Sequence, residues 1–162
     1  MKMPKAARSN KMIRNIKAID EDFIYDSWIK SVKCPTKAVS SMTRFVIDNA
    51  YNNRNIKVFC ADDDENHILG WAAYGSLETT PLLHFVFVKK AFRNSGIGKK
   101  LIRNIYPDEN SIVFCTYWSH YMQSINARDK WNVRFIANLL PAYIYSLLSD
   151  EHNKNEVESY HG

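Results

Sequence analysis

Leu82-Leu-His-Phe-Val-Phe-Val-Lys-Lys-Ala-Phe-Arg-Asn-Ser-Gly-Ile-Gly-Lys-Lys-Leu101 is the stretch that decides the fold. Its opening run, Leu82 to Val88, is apolar on both faces apart from His84, which predicts a central, buried β-strand. Beyond the basic break at Lys89 and Lys90, Ile97, Leu101 and Ile105 recur every four residues with Ile102 beside them. Lys99, Lys100 and Arg103 point the other way, so this part predicts an amphipathic helix. Gly96 and Gly98 fall at its first turn. Glycine lets a backbone come close to a ligand and adopt φ values other residues avoid. A helix start adds unpaired N–H groups at the positive end of its dipole. With Arg93, Lys99 and Lys100 alongside, the segment predicts a cradle for phosphate or pyrophosphate.

Working outward, residues 56–61 are apolar and β-branched, and Asp62-Asp-Asp-Glu-Asn66 is a turn. Residues 67–75 make the antiparallel return, so three strand signals precede the cradle. Upstream, residues 11–18 read as a first strand. Asp20, Glu21 and Asp22 open a helix that runs to Cys34-Pro35, because Pro35 disfavours helix at the residue before it. A second helix is predicted over residues 40–51, with Met42, Phe45, Val46 and Asn49 inward. Downstream, residues 112–117 read as another buried strand and residues 120–130 as a polar helix. Residues 131–136 and 142–147 read as final strands, split by Leu139-Leu-Pro141. The expected organisation is a flexible basic arm over residues 1–11, one domain over 12–149, and a polar, disordered tail over 150–162.

Two phosphate cradles do not fit. A Walker A loop needs a hydroxyl after Gly98-Lys99, where Lys100 stands, and the dinucleotide fingerprint needs a third glycine where Leu101 stands. Arg93-Asn-Ser-Gly-Ile-Gly98 instead resembles the Arg/Gln-x-x-Gly-x-Gly/Ala motif of the GNAT (GCN5-related N-acetyltransferase) superfamily. The bare pattern is short enough to recur by chance. Its setting makes it specific: Phe92 beside Arg93, Val88 five residues before, a buried strand leading in, an Ile/Leu helix leading out, and a meander upstream. The resemblance spans residues 56–118.

That resemblance implies the GNAT fold, an α/β (α+β) architecture whose mixed, mostly antiparallel twisted sheet is flanked by helices and has splayed central strands. It implies acetyl-CoA as co-substrate and no metal. The backbone of Arg93, Asn94, Ser95, Gly96, Ile97, Gly98 and Lys99 would hold the pyrophosphate, and that of Phe87 and Val88 would pair with the pantetheine arm. An unidentified primary amine, on a small molecule or a protein, would attack the thioester. Many family members place a base, Glu, on the strand before the loop. This strand has none, which leaves His84 as the ionisable residue there, either base or hydrogen-bonded core histidine. Tyr117, Tyr121 and Tyr143 are the candidate acids, each with aromatic packing as the alternative. Ser27, Trp28 and Ser31 would line the acceptor groove. Residues 23–31 and 113–118 also resemble small GNAT-like proteins of bacterial viruses, which would place the chain in a host cytoplasm, as a monomer or homodimer.

Composition bounds the partners. The 162 residues are 46% hydrophobic and 24% charged, as in ordinary globular proteins. No apolar run reaches the roughly 18 to 20 residues of a membrane span, and no secretory h-region follows Met1, so the expectation is a cytoplasmic protein without a membrane partner. Cys34, Cys60 and Cys115 have neither disulfide-scaffold nor zinc spacing. The net charge is +5, and residues 1–17 hold Lys2, Lys5, Arg8, Lys11, Arg14 and Lys17 without an acid. Such a surface suits CoA phosphates as well as nucleic acid. A nucleic-acid base modification enzyme and a non-catalytic partner-binding module are therefore the alternative readings.

Overall fold

The computed structural model describes residues 12–32, 36–117, 122–123, 133–136 and 139–160. Strands β1 (Ile13–Asn15), β2 (Ile56–Cys60), β3 (Ile68–Leu77), β4 (Thr80–Val88), β5 (Val113–Cys115) and β6 (Val133–Phe135) form one mixed sheet in sequence order. β2, β3 and β4 form an antiparallel meander, as short turns between apolar runs require, and β1 pairs antiparallel with β2 across the long connection of residues 16–55. β5 joins parallel to β4, and β6 parallel to β5. A parallel step needs a crossover, and helix α3 (Ile97–Ile105) supplies it.

The two faces are covered separately. Helices α1 (Glu21–Val32), α2 (Lys37–Asn52) and α4 (Leu139–Tyr160) pack one face around Trp28, Trp71, Val46, Leu82, Phe85 and Tyr143. Helix α3 packs the other through Ile97, Leu101 and Ile102 against Phe59, Leu83, Val86 and Val88. The opposite parities of Phe85 and Val86 follow from strand alternation. This is the mixed, helix-flanked sheet expected from the sequence.

The differences are instructive. Helix α2 begins at Lys37, earlier than expected, because the Thr36 hydroxyl accepts from the Val39 amide at 3.2 Å and caps it. Its buried stripe is Thr43, Val46, Ile47 and Ala50. Residues 142–147 are helical, which corrects the expected last strand. An apolar run of that length reads either way, and here Tyr143, Ile144 and Leu147 meet the core at helical spacing. Pro141 falls in the first helical turn, where its missing N–H costs nothing. The helix continues to Tyr160, through the stretch read as a tail. The basic arm, Cys34 and nearly all of the expected helix at 120–130 lie outside the described residues.

A buried ion pair ties the entry of α1 to the meander. Arg14 donates through Nη1 and Nη2 to Asp20 at 2.6 and 2.9 Å, and also to the Glu65 carbonyl at 2.9 Å. Desolvation raises the pKa of Asp20, but hydrogen bonds from Arg14 and the Lys17 amide outweigh it and hold the carboxyl below its ordinary range. Asp20 is 2% exposed, so removing its charge strands the guanidinium. Asp20→Asn is expected to lower stability by about 2–3 kcal/mol in urea titrations at pH 7.

Candidate active site

Strand β4 is fully paired on one side only. Towards β5 it is registered at Leu82 with Phe114 and Leu83 with Cys115, and the Thr116 amide donates to Leu83 O at 3.1 Å. From His84 to Val88 no described residue continues that ladder, so among the described residues the strands part and leave that edge open. His84 is where the register changes. Tyr74 faces Leu83 and Ala73 faces Phe85, so His84 is the extra residue of a bulge.

The bulge sets which peptide groups face the opening. The Lys89 amide donates to Leu69 O at 2.9 Å, and Phe87 O is directed at Gly70, only 2.7 Å from where a β-carbon there would stand. Residues 87 and 89 therefore turn to β3, and alternation turns Val86 and Val88 to the open edge. Of the two residues expected to pair with pantetheine, Phe87 thus turns its peptide groups to β3, whereas Val88 and also Val86 turn theirs to the unpaired edge. No sequence signal marks it, because parity along the strand depends on a bulge that the residues do not announce.

The edge ends at the cradle. Lys90–Phe92 makes one 3-10 turn, Arg93 is extended, and Asn94 and Gly96 take left-handed φ values of 63° and 82°. Helix α3 then starts, its first closing bond running from the Lys100 amide to Gly96 O at 3.0 Å. The amides of Ile97 and Gly98 precede that bond and have no intrahelical acceptor. A β-carbon built on Gly96 meets nothing within 4 Å among the described residues, so they leave the space above the loop open. Below it the fit is tight: a β-carbon on Gly70 would lie 3.1 Å from Ile97 Cγ2. Glycine at position 70 thus lets the first turn of α3 settle onto β3, which brings Arg93 to Lys99 together at the end of the open edge. The Ser95 hydroxyl donates to Phe92 O, and Arg93 Nε donates to Val88 O at 3.0 Å.

The candidate proton-transfer residues divide. His84 is 1% exposed, shares a 2.9 Å hydrogen bond with Thr116 Oγ1 through Nδ1, and lies 4.7 Å from the Tyr143 ring. Burial pushes its pKa down to about 3. Burial and the Thr116 bond fit the core-histidine reading, because an imidazole sealed from water is held neutral near pH 7. Tyr143 is buried too, its hydroxyl donating to Asn49 Oδ1 at 3.0 Å and its pKa raised by burial. Tyr117 is half-buried directly after β5, where the strands part. Its hydroxyl lies 3.3 Å from Thr43 Oγ1, and its ring meets those of Phe85 and Trp28 edge-on. Tyr121 lies outside the described residues. Tyr106, which the sequence did not single out, donates to Leu82 O at 2.6 Å and braces β4 just before the bulge.

Of the residues expected to line the acceptor groove, Ser27 and Trp28 are buried and Ser31 is exposed. Trp28 is fully buried against Trp71 and Phe85, at ring distances of 5.2 and 6.0 Å. Ser27 is buried, accepts from Trp71 Nε1 at 3.0 Å and donates to Ile24 O. Ser31 donates to Ser27 O at 2.6 Å. Trp28 forms an aromatic layer with Trp71 and Phe85 on this face of the sheet, whereas Ser31 is exposed. Among the described residues no group of three His, Cys, Asp or Glu is placed to hold a metal, and no helix is long and apolar enough to cross a membrane. Cys60 and Cys115 are buried free thiols, with Cys115 pushed up to about 12 by burial.

This geometry has relatives. Residues 54–131 match the family model described as the acetyltransferase (GNAT) domain. Among solved structures, a GNAT-family acetyltransferase from Staphylococcus aureus Mu50 superposes with a TM-score of 0.52 at 15% identity, over 73% of this chain and 79% of that one. A GCN5-related N-acetyltransferase from Sphaerobacter thermophilus gives 0.47 at 15% identity, over 58% of this chain. This chain spans only 30% of that protein's length. The PaiA N-acetyltransferase from Thermoplasma acidophilum, in complex with coenzyme A, gives 0.43 at 16% identity, over 59% of this chain and 69% of that one. No curated protein sequence matches the chain.

Proposed function

We propose that this chain, whose residues 54–131 match the model of the GNAT acetyltransferase domain, transfers an acetyl group from acetyl-CoA to the nitrogen of a primary amine. One observation carries the reading: the open β4 edge at Val86 and Val88 leads directly to a glycine-built anion cradle under open space. A pantetheine arm has amides to pair with such an edge, and a pyrophosphate suits the helix start that ends it. Acetyl-CoA supplies a thioester whose carbonyl carbon takes the amine nitrogen as the C–S bond breaks, so the nitrogen sheds one proton and the departing thiolate gains one.

The chain's own groups divide this work. Ile97 and Gly98 present amides to the pyrophosphate, and Val86 and Val88 orient the arm. Phe85, Trp28 and Trp71 keep water from their face of the sheet. Tyr117, the least buried of the described tyrosine candidates and the nearest in sequence to the parting strands, gives its proton to the thiolate. The amine's proton leaves to solvent, because His84 is closed to it.

The test is thiol release from acetyl-CoA in the presence of a polyamine, an amino sugar or a lysine peptide. Release that depends on one amine class is expected, with Tyr117→Phe lowering kcat by about tenfold or more while CoA affinity holds. Tight CoA binding without turnover on any amine would replace this reading with a CoA-binding partner protein.

A further inference from the structure

Arg93 is the basic residue at the head of the cradle, and charge is the obvious use for it. Its geometry says otherwise. The Nε–H is directed back to Val88 O at 3.0 Å, the carbonyl that alternation turns to the open edge at the last residue of β4. Directly after Arg93 come the left-handed Asn94 and Gly96, conformations that a chain leaves readily unless the surroundings hold them. Three hydrogen bonds close the loop locally. The Phe92 amide reaches Lys89 O at 2.8 Å, the Arg93 amide reaches Lys90 O at 3.4 Å, and Ser95 reaches Phe92. The Arg93 side chain ties the loop back to the strand at Val88 O.

We infer that Arg93 is a positioning residue, which holds the cradle amides at a set distance from the pantetheine edge through its Nε–H bond to Val88 O rather than through its charge. The inference rests on the CoA reading of the cradle. It has a corollary for the edge: with Val88 O taken by Arg93, the arm finds its free carbonyl at Val86.

Bond counting makes the idea testable. Nε of arginine follows Cβ, Cγ and Cδ, and the amide nitrogen of glutamine follows the same three carbons, so glutamine offers an N–H at the same reach without charge. Lysine keeps the charge but has a methylene at that place and carries its ammonium one atom further out. CoA is titrated calorimetrically into wild type, Arg93→Gln, Arg93→Lys and Arg93→Ala, with melting curves to show that each is folded; Arg93 is exposed, so all four should be.

The expected order is wild type, then glutamine within about fivefold, as an exposed charge contributes little. Lysine and alanine should each be weaker by about twentyfold or more, the equivalent of one charge-assisted hydrogen bond. Lysine binding as tightly as glutamine, or all four variants binding alike, would overturn the inference while leaving the CoA reading in place. Wild type that binds no CoA would overturn both.

Discussion

Gly96→Asp is expected to weaken acetyl-CoA binding by about a hundredfold or more while the protein stays folded. Two effects act together at this position. The backbone there has a φ of 82°, so any side chain costs about 1 kcal/mol relative to glycine, and aspartate tolerates the left-handed region better than most. That strain is affordable, since the added β-carbon meets nothing within 4 Å among the described residues. The space it enters is where the pyrophosphate would lie against the Ile97 and Gly98 amides. A carboxylate there competes for those N–H groups and repels the ligand's own charge at short range, in a site where each effect is worth more than about 1 kcal/mol. Gly96→Ala separates the terms by adding strain and bulk without charge, and should lose less. Calorimetry on wild type and both variants gives the answer. Undiminished binding by a folded Gly96→Asp would move the cofactor away from this loop.

Acid should destabilise the fold well before the carboxylates titrate, because His84 is buried neutral. Its folded pKa is about 3 against 6.5 for the free side chain. The sign follows from proton binding: below pH 6.5 the unfolded chain takes up a proton that the folded chain refuses, so the stability present above 6.5 is lost as pH falls towards 3. The slope approaches 1.4 kcal/mol per pH unit, or about 2 kcal/mol by pH 5. Asp20 acts in a lower window, from its ordinary value of 3.8 downward, so the two contributions separate. Urea midpoints from pH 7 to 4.5 should fall steeply for wild type and much less for His84→Gln, which keeps a polar partner for Thr116 and cannot be charged. Parallel curves would mean that His84 is protonated in the folded protein, and would reopen its role as a base. If the curves diverge as expected, the pH dependence of acyl transfer belongs to other groups.

Most of the fold was legible in the residues. The strand before the cradle, the amphipathic helix after it and the three-strand meander are local matters, because apolar periodicity and turn chemistry act within a few residues. Leu82 to Val88 announced a buried strand, Ile97, Leu101 and Ile105 a helix packed on one side, and Gly96 a backbone conformation that side chains avoid. The pattern from Arg93 to Gly98 pointed to an anion site by the same local logic, since a helix start and a glycine carry their own chemistry wherever the chain puts them. Residues 142–147 escaped this reading because every periodicity fits an apolar run, and contact with Trp28 and Leu82's side of the sheet settled it.

What only the tertiary structure decided is how far each candidate side chain stands from water and from its neighbours. His84 in sequence is an ionisable residue on the right strand. In space it is the extra residue of a bulge, enclosed by Thr116 and Tyr143, and its proton is excluded by burial. Ser27 and Trp28 in sequence are candidates for an acceptor groove; in space they are buried against Trp71 and Phe85. The same bulge gives the open edge to Val86 and Val88 and turns Phe87 away. Sequence determines which groups a segment can offer; desolvation and register, which depend on residues far along the chain, determine which of them meet a ligand.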